Sequence, residues 1–240
     1  MAMARAELEA LLRARKLDLT LTSSAVWPPA DEDRVAATGW PDLDLPLGGG
    51  MRRGHLSEIV GGRSAGCTTL WLAMAASATA RGEVVALIDT HDRFDPASAE
   101  AAGVDLTRVL WVRESGNADR ALKAMNLVLQ AGGFGLVAFD LSDVRGPALR
   151  QFPHTTWMRI ARIVEGSLTV ALLIGAEHVA RSPGGATIVL EREGMRAAVE
   201  WAGSNARNRR LQGLTIRPRV MSVRTIGAAA GPSRVRTSAG

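Results

Sequence analysis

Residues 59–70 read IVGGRSAGCTTL, in which a short apolar run enters a glycine-rich turn. The phosphate loop of P-loop proteins has the form G-x-x-x-x-G-K-[S/T]. Residues from Gly61 to Thr68 match this form except at the lysine, where the chain has Cys67. The apolar run predicts a strand, and Cys67 opens a predicted helix. Backbone N–H groups at such a junction can hold a phosphate, so the stretch predicts a P-loop-type turn without its cation.

Strands and helices alternate from residue 54 onward. The strands are predicted at 55–60, 84–89, 108–112, 135–140 and 168–175, and the helices at 67–80, 96–103, 118–132 and 155–166. Such apolar strands, separated by helices, are typical of a parallel sheet covered on both faces. Polarity then alternates in the segments 187–193, 196–202 and 214–224. The predicted fold is α/β, with a mostly parallel β-sheet, helices on both faces and antiparallel strands at the C-terminal edge.

The chain divides into three predicted parts. Residues 1–34 hold an amphipathic helix, with Leu8, Leu11 and Leu12 at helical spacing, and a linker rich in Ser, Pro and Asp. This arm can pack on its own domain, on another copy or on a partner, since a one-sided apolar helix suits all three uses. The core is predicted at 35–226, and residues 227–240, which lack periodicity, are predicted to be a disordered basic tail.

Composition narrows the class of protein. The 240 residues are 47% hydrophobic, enough for a sizeable core, and one cysteine excludes an internal disulfide and fits a reducing compartment. No apolar stretch reaches the ~18 residues of a membrane helix. The N-terminus is too charged for a signal peptide. A cytoplasmic protein that does not contact membranes is expected.

The net charge is +5, and its distribution along the chain is uneven. An arginine excess agrees with a nucleic-acid partner, and equally with the codon usage of a GC-rich genome. Six arginines form a candidate site for DNA or for an acidic partner: Arg207, Arg209, Arg210, Arg217, Arg219 and Arg224.

Asp140 adds a second element to the phosphate loop. It ends the apolar segment GLVAFD (135–140), as a Walker-B aspartate does when it organises Mg²⁺. The glycine-rich loop is followed by a helix and then by an aspartate at the end of a later strand. This order of elements indicates descent from a P-loop protein. ATP hydrolysis is not expected, because a thiol cannot replace an ammonium and the guanidinium of Arg63 is bulky and planar. Cys67 itself can be a reactive thiol at a helix N-terminus or a buried, inert one.

Several stretches together resemble the bacterial RecA recombinase core, over about residues 38–232. Residues 38–70 are similar to the segment that leads into the phosphate loop of that family. Residues 87–112 resemble its second strand, the stretch with the catalytic glutamate and the following helix and strand. GLVAFD resembles its Walker-B strand, and residues 214–232 resemble its closing strand. The resemblance implies a RecA-like fold.

The departures from that family fall on its nucleotide site. The resemblance places His91 where RecA proteins have the catalytic glutamate, and Ser98 where a tyrosine stacks on adenine. A lysine pair that reaches ATP across a subunit interface falls at Val223 and Thr225. Together with Cys67 these losses imply a site no longer used for catalysis. Its residues are Gly61, Gly66, Cys67, Thr68, Thr69, His91 and Asp140.

The two DNA-binding loops of RecA correspond here to the short segments 143–156 and 177–185, so strand exchange is not expected. A RecA core reduced in this way resembles the ImuA family of mutasome accessory proteins, which is also related to SulA. The resemblance implies a bacterial, nucleoid-associated homo-oligomer without cofactor. It implies roles in the SOS response and translesion synthesis, with an inactive Y-family polymerase homologue of the ImuB type, an error-prone replicative polymerase and RecA as partners.

Two alternatives remain open. One is an ATP-dependent recombinase or DNA-dependent ATPase, in which Asp140, Thr68, His91 and Arg63 would act on ATP and Mg²⁺. The other is a regulator of RecA filaments or of cell division.

Overall fold

A mostly parallel β-sheet forms the centre of the protein. The computed structural model describes residues 34–144, 146–180, 184–191, 199–202, 210–222, 225–229 and 233–236. The predicted N-terminal helix, with Leu8, Leu11 and Leu12, lies outside the described residues. The strands are β1 (Val35–Ala36), β2 (Met51–Arg52), β3 (His55–Gly61), β4 (Val85–Asp89), β5 (Val109–Arg113), β6 (Leu136–Asp140), β7 (Val170–Gly175), β8 (Ala186–Glu191), β9 (Val199–Ala202), β10 (Arg210–Ser222), β11 (Thr225–Ala229) and β12 (Ser233–Arg236).

Within the described residues, six α-helices connect these strands. They are α1 (Pro41–Asp44), α2 (Cys67–Ala80), α3 (Pro96–Ala101), α4 (Ala118–Ala131), α5 (Gly146–Leu149) and α6 (His154–Val164). The helix predicted over 67–80 is observed with these bounds. Side-chain caps begin two others: the Asn117 carboxamide accepts from the Arg120 N–H (3.0 Å) before α4, and the Asp95 carboxylate caps α3. None of the described helices is long and apolar enough to cross a bilayer.

The strand order of the main sheet is β11-β10-β8-β3-β7-β6-β4-β5. The strands from β8 to β5 in this order run parallel, and β10 pairs antiparallel with both β8 and β11. This arrangement confirms the predicted fold class. β8, which is expected among the antiparallel strands, pairs antiparallel with β10 on one side and parallel with β3 on the other. Its alternating polarity reflects its place between the parallel and antiparallel parts of the sheet.

Each face of the sheet carries its own apolar core. On one face α2 contributes Leu70 and Trp71, which are buried with Leu172 of β7. On the other face α4 and α6 contribute Met125 and Trp157. Burial of this apolar surface, which stabilises by about 25 cal/mol per Å², explains why the inner strands are apolar on both faces.

The C-terminal residues differ from the prediction of a disordered tail. Residues 225–229 form β11 and residues 233–236 form β12, and both strands pair antiparallel with β10. Strand pairing uses backbone hydrogen bonds, so β10 can pair with segments whose side chains show no apolar alternation. β10 is 13 residues long, and its two halves have different neighbours.

Candidate functional site

The glycine-rich turn joins β3 to α2 at the carboxyl edge of the sheet. Ser64 (φ 59°) and Gly66 (φ 98°) adopt left-handed backbone conformations, and the Ala65 N–H donates to the Gly62 carbonyl at 3.1 Å. A Cβ on Gly61 would lie 2.8 Å from the Cys67 Sγ, so only glycine fits at the end of the strand. The predicted turn between strand and helix is present. Its position before the 14-residue helix α2 is one where backbone N–H groups can attract an anion.

Cys67 is a neutral thiol in this turn. The side chain is buried, and burial together with the negative charge of Asp140 raises the pKa of the thiol from 9.0 to about 11. At pH 7 the group therefore carries no charge, whereas the lysine of a P-loop would carry a positive one. These surroundings favour the inert alternative for Cys67, since reactive cysteines are thiolates.

Slow alkylation of Cys67 is the expected result at pH 8. A pKa of about 11 in place of 9.0 lowers the thiolate population about 100-fold, so iodoacetamide should label the native protein at least that much more slowly than the urea-unfolded chain. Mass spectrometry gives a clean reading, because the chain has one cysteine. The stabilisation from the neutral thiol is complete below pH 9 and is lost as the pH rises through about 11. Equal labelling rates in the two states would contradict this assignment.

Asp140 lies where the sequence predicted, at the carboxyl end of β6. It is the register partner of Asp89 on β4, and the Thr90 hydroxyl donates to its backbone carbonyl at 2.6 Å. Burial raises the pKa of the Asp140 carboxyl. The Ser142 N–H, which donates to it at 2.8 Å, opposes this rise, and the negative charges of Asp89 and Asp143 add to it. The surroundings of this carboxylate are therefore acidic.

Asp89 organises the loop that follows β4, a role that the sequence did not reveal. Its buried carboxylate accepts from the Arg93 N–H (3.0 Å), the Phe94 N–H (2.8 Å) and the Trp111 indole N–H (3.1 Å). These contacts fix the loop that carries His91. The sequence signal that could have indicated this role is an aspartate at the end of an apolar strand. Aspartate often begins a turn, because its carboxylate can accept hydrogen bonds from the backbone N–H groups that follow it.

His91 lines a groove beside α4. A Cβ on Gly116 would lie 3.7 Å from the His91 ring. The groove has a volume of about 630 Å³ and opens to solvent. Its polar lining includes His91, Ser115, Asn117, Asp119, Arg120 and Asp143. The turn and the groove are therefore neighbours at the same edge of the sheet.

An ion-pair network joins the loops after β3, β4 and β6. The Asp143 carboxylate binds the Arg63 Nη2 at 2.8 Å through Oδ1 and the Arg93 Nε at 3.3 Å through Oδ2. The hydrogen bond from Arg63 is the main reason why the pKa of Asp143 is lowered. The sequence predicts a role for Arg63 but not for Arg93 or Asp143, because the proximity of these residues depends on the strand order.

The remaining predicted positions lie elsewhere. Ser98 is exposed on α3, where its N–H and hydroxyl donate to the Asp95 carboxylate at 3.2 and 2.5 Å. Thr68 at the start of α2 is exposed, and Thr69 is half-buried. Thr225 begins β11, and Val223 lies outside the described residues.

The candidate arginines are only partly described. Arg210, Arg217 and Arg219 belong to β10, and β8 separates that strand from β3. The Arg219 side chain is exposed. Arg207, Arg209 and Arg224 lie outside the described residues, so the proposed DNA or partner surface stays a prediction.

Comparison with known proteins relates the first half of the chain to RecA. Residues 30–147 match the RecA N-terminal domain. Protein RecA of Deinococcus radiodurans is 42% identical over 108 residues, which cover 45% of this chain and 30% of that protein. The RecA proteins of Bifidobacterium breve (37% over 113 residues, 47% of this chain and 29% of that one) and Chlorobaculum tepidum (36% over 108 residues, 45% and 31%) are similar too. The chain thus spans about 30% of the length of the curated relatives it matches. These matches and the sheet described above agree, and the chain contains a RecA-like core.

Proposed function

We propose that this protein is a RecA-like accessory protein without ATPase activity, which acts through protein contacts in DNA-damage-induced translesion synthesis. The observation that supports the lack of catalysis is Cys67, a buried and neutral thiol at the lysine position of the loop. Phosphoryl transfer depends on positive charge at the β- and γ-phosphates. A thiol with a pKa of about 11 supplies none.

The neighbouring cations do not replace the missing lysine. Arg63 and Arg93 both bind Asp143, so each guanidinium already has a carboxylate partner and their combined charge is partly offset. Asp89 and Asp140 place two further carboxyl groups, and no further cation, at this edge of the sheet. The side chain at the position of the catalytic glutamate, His91, faces the groove beside α4.

The accessory role rests on the resemblance to ImuA proteins. Only ten residues, 176–185, lie between β7 and β8, where RecA proteins have a long DNA-binding loop. The partners proposed on this basis are an inactive Y-family polymerase homologue of the ImuB type, an error-prone replicative polymerase and RecA. The N-terminal arm and the arginines of residues 207–224 are the proposed contact regions, and the arm is also the proposed route to a homo-oligomer.

Calorimetric titration with ATP and Mg²⁺ tests the lack of a working nucleotide site. At millimolar ATP the wild-type protein is expected to give no saturable heat, because the loop has no cation for the terminal phosphates. The matched control is Asp140→Ala, which should give the same flat titration. Saturable heat in the wild-type protein that disappears in Asp140→Ala would overturn the proposal in favour of an ATPase.

Affinity capture from DNA-damaged cells tests the accessory role. The tagged full-length chain is expected to retain polymerase components of a mutasome. Capture of RecA without any polymerase would favour the second candidate, a regulator of RecA filaments. The 42% identity to a RecA protein over 108 residues supports that candidate, since a shared surface could replace one RecA subunit at the end of a filament.

A further inference from the structure

The Asp143 carboxylate forms ion pairs with two arginines beside the glycine-rich turn. Arg63 comes from the turn itself and Arg93 from the loop after β4, and each binds a different oxygen of the Asp143 carboxylate. The distances are 2.8 Å for Arg63 and 3.3 Å for Arg93. This carboxylate therefore stands between two guanidinium groups, beside a turn whose backbone resembles a phosphate loop.

We propose that Asp143 is an internal counter-anion, which occupies Arg63 and Arg93 and thereby excludes phosphate-type anions from the turn. The inference rests on the proposed function and deepens it, because it gives a reason why a loop of this shape would not hold a nucleotide phosphate. Guanidinium groups bind carboxylates and phosphates through the same planar fork, so one anion can substitute for the other. An intramolecular carboxylate has the advantage that it is always present.

Asp143 remains ionised in this setting. The hydrogen bond and charge of Arg63 lower the pKa of its carboxyl, and the charges of Arg93 and His91 act in the same direction. The occlusion is therefore expected to persist throughout the neutral pH range.

The ion pairs are exposed enough to be removed without unfolding. The Arg63 side chain is 87% exposed, that of Arg93 67% and that of Asp143 25%. Exposed ion pairs contribute little to stability, so a substitution of Asp143 should leave the fold intact. It should also free Arg63, which lies in the turn that leads into α2, and Arg93, which shares the same carboxylate, and the helix dipole favours anions at this N-terminus.

The test uses inorganic tripolyphosphate as the probe, titrated calorimetrically at low salt into the full-length chain. Asp143→Asn is expected to bind it at least tenfold more tightly than the wild-type protein. Arg63→Ala in the Asp143→Asn background should abolish the gain. Asp143→Glu keeps the carboxylate and should behave like the wild-type protein.

Asp105→Asn is the matched control. This substitution also removes one negative charge, and it breaks the ion pair between Asp105 and Arg108. Asp105 precedes β5, so it lies at the end of the sheet opposite to the glycine-rich turn. An equal gain in this control would overturn the proposal, because net charge alone would then explain the binding. Unchanged affinity in a folded Asp143→Asn protein would overturn it as well. Asp143→Ser is the second variant if the first does not fold.

The two proposals fail separately. If the wild-type protein binds ATP with Mg²⁺ through Asp140, the proposed lack of ATPase function fails. If the ATP titration is flat and a folded Asp143→Asn protein binds tripolyphosphate no more tightly than the wild-type protein, only the counter-anion proposal fails.

Discussion

Replacement of Glu58 by alanine is expected to lower the free energy of unfolding by about 3–5 kcal/mol. Glu58 lies on β3 and is 3% exposed. Its carboxylate accepts from the backbone N–H groups of Val179 (2.9 Å) and Ala180 (2.7 Å) and also contacts the His178 ring. Alanine would leave these donors inside the protein without an acceptor, and buried unpaired donors cost about 1–3 kcal/mol each.

Urea unfolding followed by far-UV circular dichroism measures this loss. Glu58→Gln keeps an amide oxygen as an acceptor and should lose less stability than Glu58→Ala. The control is Glu177→Ala, a change of an exposed glutamate in the same segment, with an expected effect within about 0.5 kcal/mol. Hydrogen exchange should show the Val179 and Ala180 amides losing protection first. If Glu58→Ala unfolds at the same urea concentration as the wild-type protein, the carboxylate does not hold this segment.

Most of the core sheet and its helices could be predicted from local sequence alone. The helix α2 was predicted at its observed bounds, and β3 and β6 within one residue of theirs, because apolar runs and glycine boundaries are local signals. The C-terminal strands were missed for a physical reason. β11 and β12 pair with the backbone of β10, and pairing of that kind does not require a periodic pattern of apolar side chains.

The candidate site was predictable where it depends on motif spacing and not where it depends on strand order. Cys67 and Asp140 were located by the loop pattern and by the end of an apolar strand. The link from Arg63 to Asp143 spans 80 residues and arises only when the loops after β3 and β6 meet at one edge. Glu58 did carry a local signal, since a charge inside an apolar strand must find buried partners. The partners themselves lie more than 120 residues away.

Trp157→Ala is expected to lower the free energy of unfolding by about 3–5 kcal/mol, because it removes apolar packing from the core. Trp157 is 2% exposed on α6, within the core that α4 and α6 form against the sheet, and its ring meets Phe152 edge-on at 5.8 Å. Alanine would leave a cavity that the rigid sheet cannot close, so the lost contacts are not recovered.

Leu127→Ala is the control for this change. Leu127 is a large apolar residue on α4 that is 67% exposed, and its truncation should change the free energy of unfolding by less than about 0.5 kcal/mol. Circular dichroism is the suitable probe, because the substitution removes a fluorophore.

Since α6 packs on β3, the strand that leads into the glycine-rich turn, Trp157→Ala should also open the turn more often and raise the alkylation rate of Cys67. A stability loss below about 1 kcal/mol, or an unchanged Cys67 rate despite a large loss, would show that this core does not support the turn.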